Sequence, residues 1–92
     1  MGYEIKFSKQ ADKTFSKLDN SVQKLIFKWI YKNLENCENP RQQGKALQGN
    51  LAGYWRYRIG NYRVISKIED EQLTILLIDI NHRSKIYTKW YL

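Results

Sequence analysis

Cysteine occurs once, as Cys37, so no intrachain disulfide can form, and a lone free thiol suits a reducing compartment. Histidine also occurs once, as His82, and one histidine with one cysteine cannot furnish a Cys/His zinc set. There is no glycine-rich phosphate loop ahead of a helix and no defensible serine-nucleophile setting. Long apolar runs are missing too: no segment approaches the roughly 18 consecutive apolar residues of a membrane span. The opening MGYEIKFSKQ has no apolar stretch of signal-peptide length, and Lys6 stands where a myristoylation pattern wants Ser or Thr. A cytoplasmic chain with no cofactor and no membrane association is therefore expected. Acidic residues are scarce, nine against sixteen Lys and Arg, which leaves a formal net charge of +7.

What is present is apolar and aromatic enough for a packed globule. Hydrophobic residues make up 42% and aromatic residues 14% of 92 residues, with a single proline, and this excludes a disordered chain. The length suits one domain, residues 1–92, with one modest core. The positive field makes a polyanion the leading class of partner, bound partly through counterion release and hence sensitive to salt. An anionic membrane is the competitor, but every candidate amphipathic helix is better used as core.

Along the chain, Tyr3, Ile5 and Phe7 alternate with Glu4 and Lys6 as in a half-buried strand. Ser8 then offers an N-cap to a short helix carrying Ala11, Phe15 and Leu18. After Asp19-Asn20-Ser21, the residues Val22, Leu25, Ile26, Trp29, Ile30 and Leu34 follow a helical stripe, which makes the pair a helical hairpin. Lys24, Lys28 and Lys32 lie on its outer side and read as a solvated face. From Glu35 to Gly53, Pro40 and several glycines forbid a long regular element; Arg41 and Lys45 make this loop basic. Strands follow at Tyr54 to Ile59, Tyr62 to Ile68 and Leu73 to Ile80, the last apolar on both faces and so placed inside the sheet. The expectation is an α+β fold in the order strand-helix-helix-strand-strand-strand, a two-helix hairpin packed on one face of a small, mainly antiparallel four-stranded sheet.

The stretch YWRYRIGNYRV concentrates arginine on a hairpin. Strand alternation puts Arg56 and Arg58 on one side and Trp55, Tyr57 and Ile59 on the other, and a favourable register brings Arg63 to join the two arginines. An exposed polar sheet face would explain charge here, since arginine stems cover apolar surface well. It would not explain the choice of Arg in this hairpin when Lys dominates the helices; the planar fork suits bidentate phosphate contacts. Arg83 follows the last strand in NHRSKIY, beside His82 and four residues before Tyr87. His82 is the natural proton carrier at neutral pH, although a lone loop histidine is more often structural. Tyr87 can stack on a base or donate its hydroxyl, and core packing explains such a tyrosine as well. Asp79 reads as a strand-end residue, and with Glu69-Asp70-Glu71 it makes no convincing metal site.

Together, KALQGNLAGYWRYRIGNYRVISKI, the apolar strand and HRSKIY resemble the RelE/ParE toxin superfamily, and its RelE branch most. The resemblance runs from YEIKFSKQADKTFSKL to Tyr87. It implies a toxin of a type II toxin-antitoxin pair that cuts messenger RNA in the ribosomal A site, without a metal, contacting ribosomal RNA as it does so. It also implies a RelB-like antitoxin partner and operator binding only through the toxin-antitoxin complex. Arg56, Arg58, Arg63, Arg83 and Tyr87 fall on family site positions, and His82 on one often histidine. Lys45, Arg41 and Lys85 would contact RNA or the ribosome. Some relatives carry lysines where this chain has Arg56 and Arg58; arginine does not give up its proton, so proton work shifts to His82 or Tyr87, with Lys45 a weaker candidate. On this reading the four arginines hold the scissile phosphate, His82 moves a proton, and Tyr87 positions the base or the 2′-hydroxyl. The alternatives are a ParE-like gyrase inhibitor of the same fold without nuclease activity, and a noncatalytic RNA- or ribosome-binding module.

Overall fold

The computed structural model describes residues 2–82, so Arg83, Lys85 and Tyr87 lie outside the described residues. The elements are β1 (Glu4–Phe7), α1 (Lys9–Ser16), α2 (Asn20–Asn33), β2 (Lys45–Ala46), β3 (Trp55–Ile59), β4 (Tyr62–Glu69) and β5 (Thr74–His82). They form one sheet in the order β1-β5-β4-β3-β2, with β1 parallel to β5 and every other pair antiparallel. The expected α+β arrangement is present with one addition: the basic loop contributes β2, a two-residue edge strand that makes the sheet five-stranded. β5 also runs on through Asn81 and His82, two residues beyond the apolar run that marks it in the sequence. No helix among the described residues is long and apolar enough to cross a membrane.

Local chemistry sets the helices. Ser8 is extended, and its Oγ accepts from the Ala11 amide at 3.0 Å, the N-cap bond that satisfies an orphan helix donor. The same hydroxyl donates to the Ile78 carbonyl at 2.9 Å, so one side chain both starts α1 and ties it to β5. Gln23 of α2 reaches back to the Phe15 carbonyl at 2.8 Å and closes the hairpin. Beyond α2, Asn36 takes a left-handed φ of 62°, and its amide donates to the Tyr3 carbonyl, returning the chain to the edge of β1.

The core lies between the helices and one sheet face. Ala11, Ile26, Ile30 and Leu34 meet Tyr57, Ile59, Val64, Ile75, Leu77 and Ile80. Leu25, expected in the helical stripe, is instead 47% exposed. The buried stripe of α2 follows i, i+4, i+8 through Ile26, Ile30 and Leu34, and Leu25 flanks it, beside the Gly60 turn. One irregularity shapes the sheet: Ser66 pairs with Leu77 but Ile65 pairs with Asp79, so Ile78 is an extra residue in β5. Such a bulge reverses which face each later residue of its strand occupies.

Ser8→Ala should lower unfolding free energy by about 1 kcal/mol through the lost cap, whereas Ile26→Ala should cost about 2–5 kcal/mol through a core cavity. Urea unfolding followed by circular dichroism checks both the size and the order of the two effects.

Candidate functional site

The β3–β4 hairpin turns at Gly60-Asn61, with Gly60 at a positive φ of 58° that a side chain would strain. Its register pairs Arg58 directly with Arg63 and Arg56 with Ile65. Because Tyr57 and Ile59 point into the core, Arg56 and Arg58 must point the other way, and their cross-strand partners share their face. β2 extends the row by placing Lys45 across from Arg56. The face turned from the helices thus carries one row of Lys45, Arg56, Ile65 and Asp79, and a neighbouring row of Arg58, Arg63 and Asn81.

This face is not evenly exposed. Lys45 and Arg58 stand in solvent, while Arg63 is 8% and Ile65 only 1% exposed. Directly opposed residues have Cβ atoms about 4.5–5.5 Å apart, so the like charges of Arg58 and Arg63 are held close together, and a partner of opposite charge would be favoured there. Guanidinium groups gathered on this scale suit a phosphate.

Sequence reasoning passed over two neighbours. Asp79, read as a strand-end residue, sits inside the sheet, 5% exposed, with its Oδ1 accepting from the Ile80 amide at 2.8 Å. Asn81 lies across from Arg63, and its Nδ2 is buried with no hydrogen-bond partner among the described residues. The bulge at Ile78 puts both on the basic face, and period-two reading of an unbroken strand would have put both on the core face. Lys67 also belongs to this face, two steps beyond Ile65, a position that simple alternation from Arg63 would have found.

His82 falls on the other side. It pairs with Tyr62, shares the core face with Ile80, and meets the Tyr62 ring edge-on at 5.1 Å. The structure therefore brings Arg56, Arg58, Arg63 and Lys45 together, and places His82 across the sheet from them, at the end where the Gly60-Asn61 turn lies. Arg58 and Arg63 lie one residue in from that end, and Arg56 and Lys45 two residues further along the sheet. Among the described residues no three His, Cys, Asp or Glu side chains gather as metal ligands.

Arg41 does not join the row. Its guanidinium forms two bonds to Asp70, Nη1 to Oδ1 at 3.1 Å and Nη2 to Oδ2 at 2.8 Å, and lies over the Trp55 ring at 5.7 Å. Trp55 shares the face of Tyr57, so Arg41 sits on the helix side. Asp70 also accepts from the Tyr3 hydroxyl at 2.7 Å. Arg41 first, and Tyr3 second, hold the Asp70 carboxyl below its ordinary range, and the bond to Asp70 raises the Tyr3 hydroxyl. Nearby, the buried Tyr57 donates to the Pro40 carbonyl at 2.5 Å, and burial pushes its hydroxyl up to about 12.

The family described as ParE toxin of type II toxin-antitoxin system, parDE, matches residues 5–87. The chain is 29% identical to Toxin RelG of Mycobacterium tuberculosis over 97% of its own length and 100% of that protein's. It is 28% identical to the mRNA interferase toxin RelE of Escherichia coli, over 97% of this chain and 94% of the other. Among solved structures, the toxin-antitoxin complex RelBE2 of Mycobacterium tuberculosis contains a chain that superposes with a TM-score of 0.81 at 27% identity, covering 92% of this chain and 95% of that one.

The depressed Asp70 carboxyl has a signed consequence. Its folded pKa lies below its unfolded value of about 3.9, so the stabilisation it contributes is complete above that value and is lost as pH falls through the lower folded one. Because the pair is exposed, the urea midpoint of the wild type should exceed that of Asp70→Asn only slightly at pH 6, and this small gap should close as pH falls into the acid range; a gap that does not narrow on acidification would contradict the assignment.

Proposed function

The chain belongs to the ParE toxin family of type II toxin-antitoxin systems, within the RelE/ParE toxin superfamily, and from that premise we propose that it is a ribosome-dependent mRNA endoribonuclease that blocks translation. The observation that carries this reading is the register that sets Arg58 against Arg63, with Arg56 and Lys45 alongside on one sheet face. A relative that carries the name mRNA interferase supports it.

The 2′-oxygen attacks phosphorus as the bond to the 5′-oxygen breaks, leaving a 2′,3′-cyclic phosphate and a 5′-hydroxyl. The attacking oxygen must lose a proton and the leaving oxygen must gain one. Arg56, Arg58 and Arg63 neutralise charge that grows on the phosphorane oxygens, and fixed donors are strongest at this task when aimed where charge develops. They move no proton, since guanidinium holds its own. Proton transfer is assigned to His82, with Arg83 adding a guanidinium and Tyr87 positioning the base or the 2′-hydroxyl. Because His82 and the Arg58–Arg63 pair border the same sheet end from opposite faces, the nucleotide would have to pass over that end to meet both. Such an exacting approach suits a strand held in shape by the ribosome, where orientation supplies much of the rate. Lys45 and Lys85 are assigned to RNA or ribosomal RNA.

A face of opposed arginines also needs silencing. The partner proposed for it is a RelB-like antitoxin whose acidic, partly disordered segment folds across the row, and operator DNA would be bound through that complex. The solved RelBE2 complex supports the partner class.

In a translating extract with 5′-end mapping of mRNA, the wild type should cut ribosome-bound message and leave naked RNA nearly intact. Arg58→Ala and Arg63→Ala should each slow cleavage by roughly 10²–10³-fold, the scale of removing one oxyanion donor, and His82→Ala should slow it and alter its pH profile. Intact message together with toxicity relieved by extra DNA gyrase would replace this reading with a gyrase-directed one.

A further inference from the structure

We infer that Asp70 is a positioning residue for the basic face: by clamping Arg41 it immobilises the 39–44 turn and so holds Lys45 across from Arg56, on the opposite side of the sheet from the clamp itself. The inference rests on reading that face as RNA-binding, and adds to it a residue that touches no RNA.

β2 is the weakest strand of the sheet. It has two residues, both exposed, and pairs only with the edge of β3, supplemented by the Leu47 amide donating to the Tyr54 carbonyl at 3.0 Å. Ladders that short open readily on their own. What precedes Lys45 is much better held. The Arg41 amide donates to Asn39 Oδ1 at 3.1 Å, the Gln42 amide to the Asn39 carbonyl at 3.2 Å and the Gly44 amide to the Arg41 carbonyl at 3.2 Å, a compact turn ending one residue before β2. That turn is pinned to the body at three places. Tyr57 grips the Pro40 carbonyl from the core, Gly44 lies against the Tyr57 ring so closely that a Cβ there would stand 2.8 Å from Cε1, and Arg41 is forked onto Asp70.

Of these the Arg41–Asp70 pair is the one that resists rotation of the turn. A bidentate guanidinium–carboxylate contact sets direction as well as distance. Asp70 is in turn aimed by Tyr3, and the Arg41 plane is backed by Trp55, which is the residue that pairs with Ala46 of β2. The side chains of Arg41 and Asp70 are 40% and 54% exposed, so the pair contributes little to global stability and its effect is orientation.

Electrostatics alone and positioning predict opposite signs. Asp70→Asn removes one negative charge and releases Arg41, so the field alone would tighten RNA binding. Positioning predicts weaker binding, because Lys45 leaves its register. With the full-length chain and a labelled short single-stranded RNA followed by anisotropy over a salt series, Lys45→Ala in the wild type should reduce the salt slope by about one, the signature of one lost phosphate contact. In the Asp70→Asn background the same substitution should change neither slope nor affinity, and Asp70→Glu should retain part of the wild-type slope. Tighter binding by Asp70→Asn, or a full Lys45→Ala effect in that background, overturns the inference. If the wild type shows no salt-sensitive RNA binding, the RNA reading fails and amide exchange decides the clamp separately. Asp70→Asn should then speed exchange at Leu47 at least tenfold and leave Val64 unchanged; equal exchange at Leu47 in both proteins overturns it.

Discussion

The inward side chain of Tyr57 is the constraint on which the rest of the site depends. It is fully buried, its ring lies 5.9 Å from that of Trp29, and its hydroxyl is bonded to the Pro40 carbonyl. Strand geometry then leaves its neighbours Arg56 and Arg58 no choice of face. The same ring sets how closely the loop can approach at Gly44, so one core residue governs both the hairpin arginines and the strand that brings Lys45 beside them.

Such a face concentrates charge of one sign. Arg58 and Arg63 confront each other directly, and Arg63 is largely buried where it does so. Like charges in that position are unfavourable, and a surface chosen only for solubility would alternate signs or use lysine. The repulsion disappears when a polyanion arrives.

The bulge at Ile78 resolves a conflict within β5. The strand must bury Ile75 and Leu77 against the helices and Ile80 beside Val64, positions of different parity. Inserting one residue satisfies both, and it carries Asp79 and Asn81 to the arginine side and His82 to the Tyr62 side. The placement of the arginines and His82 on opposite faces of the sheet follows from this core requirement.

Periodicity alone determined the order of elements, the helical hairpin with its Ser8 cap, the meander, and the outward direction of Arg56 and Arg58, because each depends on neighbours within a few residues. Motif resemblance supplied the family. The rest depended on contacts between distant segments. The exposure of Leu25, the edge strand at Lys45–Ala46 and the capture of Arg41 by Asp70 follow from packing of segments distant in the sequence, which leaves no periodic trace. The side on which His82 and Asn81 stand was settled by a single unpaired residue in β5, and a shift of one is enough because side-chain direction in a strand repeats every two.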